Sequence, residues 1–371
     1  MTQKLFTLGP VEMYDYTRER LSQQLPYFRT EEFSEISIEC AQRLKRLAGA
    51  SADAHVFLLT CSGTGAMEAT VGGCFRSGDL LLAVDGGGFG HRFVELATIH
   101  GMPCMAVSLE FEEKLERGML EATLEEAGGL CSGLLVNLHE TSTGQLYEME
   151  YLSSFCRENN LYFICDAIGS FLADSINMEQ DGIDAMITSS QKALALPPGL
   201  AIVIMSDRLY KKIENDDIKP FSRYFDFREA EKEAIRGQTP FTPAVGTILA
   251  LRDRLEKLEE EGGAEASVQR TGALAADFRK RISGLMEKGL VALPSHPQSN
   301  ACTVLIFPKG GAGAVCAKLK EAGVWVNPNG GALSDKILRI GHLGNLTPAD
   351  NETLAGLLEE ILPDILGKIL S

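Results

Sequence analysis

Three times between His55 and Asn160 a short apolar run gives way to a glycine-bearing turn and then to an amphipathic stretch: "HVFLLTCSGTGAMEATVGGCF", "DLLLAVDGGGFGHRFVELATIHG" and "GLLVNLHETSTGQLYEMEYLSSFCRENN". The apolar run "LYFICDAIGS" follows, and a strand pair is expected around Lys192. Apolar strands separated by amphipathic helices bury both faces of a sheet through crossover connections, which predicts an α/β fold with a mostly parallel sheet. After about residue 250 the texture changes. "LRDRLEKLEEEGGAEASVQRTGALAADFRKRISGLMEKG" has helical period interrupted at "EGG", and the runs "ACTVLIFPK" and "KILRIGH" read as strands between helices. The expected organisation is an N-terminal segment (1–20), a large domain (21–245) and a smaller C-terminal α+β domain (246–371).

A chain of 371 residues with 45% hydrophobic side chains can fill two cores. Its formal charge of -16 opposes nucleic-acid and anionic-membrane partners. The nine cysteines contain no Cys-x-x-Cys pair and lie mostly in apolar surroundings, the pattern of reduced buried thiols and not of a disulfide framework or zinc site. "MTQKLFTLGP" lacks an apolar leader and no long uncharged span occurs elsewhere, so a cytoplasmic location without export or membrane insertion is expected.

Four features point to chemistry. In "CSGTGAMEA" a glycine turn opens a helix, so Ser62, Gly63 and Thr64 offer backbone N–H groups and hydroxyls at a positive helix end, a cradle for phosphate or simply a tight turn. It is neither a Walker motif nor a dinucleotide fingerprint. Asp166 ends an apolar strand, where α/β folds place ligands and where a carboxylate also caps turns. Lys192 stands between Ser189–Ser190 and a double proline with no other charge before Asp207, so it reads either as a desolvated nucleophilic amine or as a lysine snorkelling from a strand end. Phe89, flanked by glycines, reads as core filler or as an aromatic stacked on a planar ligand. Taken together they match one cofactor. Pyridoxal phosphate needs donors for its phosphate, a carboxylate for its pyridine nitrogen and an amine for a Schiff base. Ser62–Thr64, Asp166 and Lys192 provide these in chain order.

The segments "TLGPVEM", "SGTGAMEA", "HETSTG", "CDAIGS", "SSQKALALPPG" and "RIGHLG" resemble the class V branch of fold-type I pyridoxal-phosphate aminotransferases, particularly the alanine–glyoxylate/serine–pyruvate group and the nearby 2-aminoethylphosphonate–pyruvate transaminases. The resemblance implies Lys192 as Schiff-base lysine, Asp166 as partner of the ring nitrogen, Phe89 as stacking aromatic, Thr141 near the cofactor hydroxyl and Gln191 beside its phosphate. It further implies Arg339 as the clamp on the substrate α-carboxylate, Gly9 and Arg29 on the substrate side, and Thr242 as a contact to a neighbouring subunit's phosphate, hence a homodimer with the site at its interface. Phe89 departs from relatives that carry tryptophan, and Thr239 from relatives that carry tyrosine. The expected reaction moves an amino group from alanine or serine to glyoxylate or pyruvate. A phosphonate donor, paired with Arg29, is the alternative; a desulfurase using Cys302 or Cys316, and a non-catalytic protein of the same fold, are the remaining readings.

Overall fold

The computed structural model describes residues 3–369. Its strands, in chain order, are β1 (Lys4–Phe6), β2 (His55–Leu59), β3 (Leu81–Asp85), β4 (Cys104–Ser108), β5 (Gly133–Asn137), β6 (His139–Glu140), β7 (Gln145–Leu146), β8 (Tyr162–Asp166), β9 (Ala185–Ser189), β10 (Ala201–Met205), β11 (Cys302–Ile306), β12 (Val324–Pro328) and β13 (Ile337–Gly341). Seven form one sheet in the order β2-β10-β9-β8-β5-β3-β4. The pairs from β4 through β9 are parallel, as the repeated strand–helix units require, and β10 runs antiparallel to both neighbours. Every residue of β5, β9 and β10 is buried, which explains why these runs are continuously apolar and do not alternate.

This topology decides where the chemistry falls. Asn137 and Asp166 are register partners at the ends of β5 and β8. Leu59 and Ser189, which end β2 and β9, flank Ala201 at the start of β10. The loops leaving β2, β5, β8 and β9 therefore open on one sheet edge. The helix Gly63–Cys74 leaves that edge so closely packed that a Cβ on Gly72 would come within 2.6 Å of the Phe221 ring. Small residues on this helix are what let the segment around Phe221–Phe227 close over it.

The large sheet is covered on both faces. One core joins Leu82, Leu134 and Phe163 to Phe33, Leu44, Ile248, Leu251 and Leu255, so the helices Glu31–Ala48 and Val245–Glu260 pack together on that face. The other joins Phe57, Val71, Phe93 and Val203. A four-stranded sheet, in the order β1-β12-β13-β11, carries a third core of Phe278, Leu305, Leu338 and Leu358. The N-terminal β1 was not apparent in the sequence; it pairs in parallel with Val324–Val326. Gly341 admits it, because a Cβ there would lie 2.4 Å from the Thr7 carbonyl oxygen. The nine cysteines are free thiols, and among the described residues no helix is long and apolar enough to cross a membrane.

Candidate active site

A cavity at the shared strand edge is lined by Ser62, Gly63, Thr64, Phe89, Arg92, Asn137, Thr141, Asp166, Ile168, Gly169, Gln191 and Lys192. Eight of the residues expected from sequence thus meet in one place: Ser62, Gly63, Thr64, Phe89, Thr141, Asp166, Gln191 and Lys192. A second, mostly apolar pocket between β2 and the Gly237–Thr242 segment contains none of the titratable groups described here.

The two ionisable ends of the cavity are tuned by burial. Asp166 is 1% exposed, and desolvation lifts its carboxyl to about 6 although Ile168 N–H and Asn137 Nδ2 each donate to it at 2.8 Å. Desolvation lowers the Lys192 amine to about 8, against the attraction of Asp166. Lys192 Nζ donates to the Leu8 carbonyl oxygen, and Gly9 lies directly over the side chain. A Cβ at Gly9 would sit 2.8 Å from Lys192 Cδ and 3.1 Å from Nζ, and its φ of 131° already disfavours any other residue. The N-terminal segment thereby forms one wall beside the amine.

Glu140 is fully buried, and its role was not legible from residue type. Its carboxylate accepts from the backbone N–H groups of Phe89 at 3.2 Å, Gly90 at 2.8 Å and Ser142 at 3.0 Å, and from the Ser142 hydroxyl. These bonds seat the N-terminus of the helix Gly90–Ile99 and hold Phe89 at the cavity. Behind Thr141, His139 is wholly buried and burial drives its imidazole down to about 3; it stays neutral, with Nδ1 3.4 Å from the Gly169 carbonyl oxygen. Arg339 borders this region through the small sheet. Its guanidinium donates to the carbonyl oxygens of Thr141 at 3.1 Å and Pro328 at 2.7 Å, while Nε is buried without a partner.

Two expected residues lie elsewhere in the chain. Arg29 donates to Gln238 Oε1 at 3.1 Å and to the Thr239 carbonyl oxygen at 3.0 Å, with Glu233 at 3.7 Å, and so ties down the loop before Thr242. Thr242 is exposed on that same loop and lines the other pocket.

The chain matches the family described as "Aminotransferase class-V" over residues 27–340, and it belongs to that family. It is 27% identical to the 2-aminoethylphosphonate–pyruvate transaminase of Vibrio vulnificus strain YJ016, across 96% of this chain and 97% of that protein. Among solved structures, it is similar to the aspartate aminotransferase of Thermus thermophilus (TM-score 0.86, 27% identity, 98% of this chain and 99% of that one). The same fold recurs in the alanine–glyoxylate aminotransferase of a Nostoc species (TM-score 0.90, 24% identity, 98% of this chain and 96% of that one). The fold is that of the fold-type I enzymes, and the protein is a pyridoxal-phosphate-dependent transaminase.

The cavity fits that cofactor on its own chemistry. Gln191 Oε1 and Asn137 Oδ1 are buried without partners beside it, and the Gly63 cradle leaves no room for a side chain, with a Cβ reaching 2.4 Å from Ile168 Cδ1. Hydroxyls and backbone N–H groups of Ser62–Thr64, the Asp166 carboxylate and the Lys192 amine all line it.

Proposed function

We propose that this transaminase moves an amino group from a small amino acid, alanine or serine, to a 2-oxo acid, glyoxylate or pyruvate. The observation that carries the catalytic part of this reading is the convergence of Lys192, Asp166 and the Ser62–Thr64 cradle in one cavity. When bound, pyridoxal phosphate supplies an electrophilic carbonyl carbon and a ring that takes up negative charge. Asp166 would keep a proton on the ring nitrogen, Ser62, Gly63, Thr64 and Gln191 would hold the phosphate, Thr141 would lie by the ring hydroxyl and Phe89 would cover one face of the ring. Lys192, with its amine brought down to about 8, can shed its proton near neutrality, attach the cofactor and, once displaced, move a proton at the substrate Cα. Gly9 gives that side chain room to swing because nothing projects from the wall beside it.

Substrate choice rests on Arg339. Its planar guanidinium suits an α-carboxylate, which both half-reactions carry, and its unpartnered Nε is a free donor beside Thr141. A phosphonate donor would need a second strong cation, and Arg29, the sequence-based candidate, is engaged by Gln238, Thr239 and Glu233. That favours a small uncharged donor side chain. Desulfurase chemistry is disfavoured at both candidate cysteines: Cys302 is fully buried with its thiol pushed up to about 12 by desolvation, and burial also raises the thiol of the half-buried Cys316. We further propose a homodimer in which the exposed Thr242 reaches the partner's phosphate site.

A single-turnover screen tests the substrate assignment. Alanine, serine, glycine, aspartate and 2-aminoethylphosphonate are each mixed with the loaded enzyme and the cofactor absorbance is followed. Rapid conversion with alanine or serine and none with the phosphonate is expected; the reverse ranking overturns the assignment.

A further inference from the structure

We propose that Arg92 is the principal cationic contact for the cofactor phosphate and that it links that phosphate to the stacking residue Phe89. This rests on the reading of the cavity as the pyridoxal-phosphate site, and it adds a residue that the sequence motifs leave unassigned. Arg92 lines the same cavity as Ser62, Gly63, Thr64 and Gln191. Its NH1 lies 3.1 Å from Thr64 Oγ1, and its guanidinium carbon lies 4.9 Å from the centroid of the Phe89 ring.

Among the described residues no carboxylate neutralises Arg92 at the cavity. The chain has 51 acidic against 35 basic residues, yet among the described residues Arg92 forms no salt bridge, its contacts being a neutral hydroxyl and an aromatic face. It also stands in the first turn of the helix Gly90–Ile99, where the helix dipole opposes a cation. The buried Glu140 carboxylate serves the N–H groups of Phe89 and Gly90 and leaves the Arg92 head facing the cavity. A phosphate there brings up to two negative charges. Ser62, Thr64 and the backbone donors are neutral, and Lys192 is occupied at the other end by Leu8 and by its attachment role. A guanidinium can meet both demands at once, laying its face on the Phe89 ring while its edge donates to phosphate. Thr64 accepts from Arg92 and so keeps its own hydroxyl proton for the same phosphate.

The test compares two ligands that differ only in the phosphate group. Apoprotein is titrated with pyridoxal phosphate and with pyridoxal, for the native chain, Arg92→Met and Arg92→Lys. Arg92→Met is expected to weaken pyridoxal phosphate binding on the order of ten- to a hundredfold and to leave pyridoxal binding within about twofold. Arg92→Lys is expected to fall between, keeping the charge and losing the planar fork. Equal losses for both ligands would mean a merely structural residue, and undiminished pyridoxal phosphate affinity in Arg92→Met would mean no contact; either result overturns the proposal. Should Arg92→Met not fold, the native and Arg92→Lys proteins are compared by competition with inorganic phosphate, and equal competition in both overturns it. The underlying site reading fails separately, if the native protein shows no covalent adduct at Lys192 after borohydride treatment.

Discussion

Asp166 and Asp174 invite comparison because burial has treated them alike. They are 1% and 5% exposed, desolvation raises both carboxyls to about 6, and each accepts one backbone N–H and one side-chain donor. Their surroundings differ. Asp166 lines a cavity together with Lys192, whose amine feels its charge. Asp174 is clasped by the Ser299 hydroxyl and the Asn300 N–H, with the Arg279 charge nearby, and fastens the segment ahead of β11 to the turn after β8. A perturbed carboxyl therefore marks burial; open space in front of it and an amine on the same cavity mark a site.

The comparison is sharpest under paired substitution. Asp166→Asn is expected to lower kcat/KM by a hundredfold or more, on the order of removing one preorganised electrostatic partner, while Asp174→Asn stays within about tenfold of native. Steady-state kinetics with whichever donor the screen identifies would check this. Similar losses in both variants would erase the distinction.

A smaller effect concerns what the two carboxylates share. Each has a folded-state pKa of about 6 against an unfolded value of about 4, so between those pH values the folded apoprotein holds protons that the unfolded chain has released. Stability contributed by these groups is present at acid pH and falls as pH rises through that window, by on the order of 3 kcal/mol for each. Asp174→Asn is expected to flatten the dependence of the denaturation midpoint on pH between about 4 and 6. An unchanged slope would show that Asp174 does not titrate there.

Much of the large sheet was legible because its strands are short, apolar and punctuated by glycine, and Lys192, Asp166 and the Ser62–Thr64 cradle stood out as polar residues at the ends of apolar runs. What escaped depends on contacts far apart in sequence. β1 is three residues long and acquires meaning only by pairing with Val324–Val326. Arg92, within "FGHRFVEL", has the look of a solvated helix residue until the Gly90–Ile99 helix is seen to begin at the cavity. Glu140 is matched by backbone N–H groups and not by a cation, so no complementary charge announces it. Arg339 was named only through family resemblance, since neither its burial nor its carbonyl partners can be read from "LRIGH".

Lys192, in the cavity that Asp166 also lines, is the amine expected to carry the cofactor. Borohydride reduction of the loaded enzyme, followed by digestion and mass-spectrometric mapping, tests this assignment directly. The reduced adduct is expected on Lys192, within "SSQKALALPPG", and is expected to be absent from Lys192→Ala. An adduct on another lysine, or one that persists unchanged in Lys192→Ala, would contradict it.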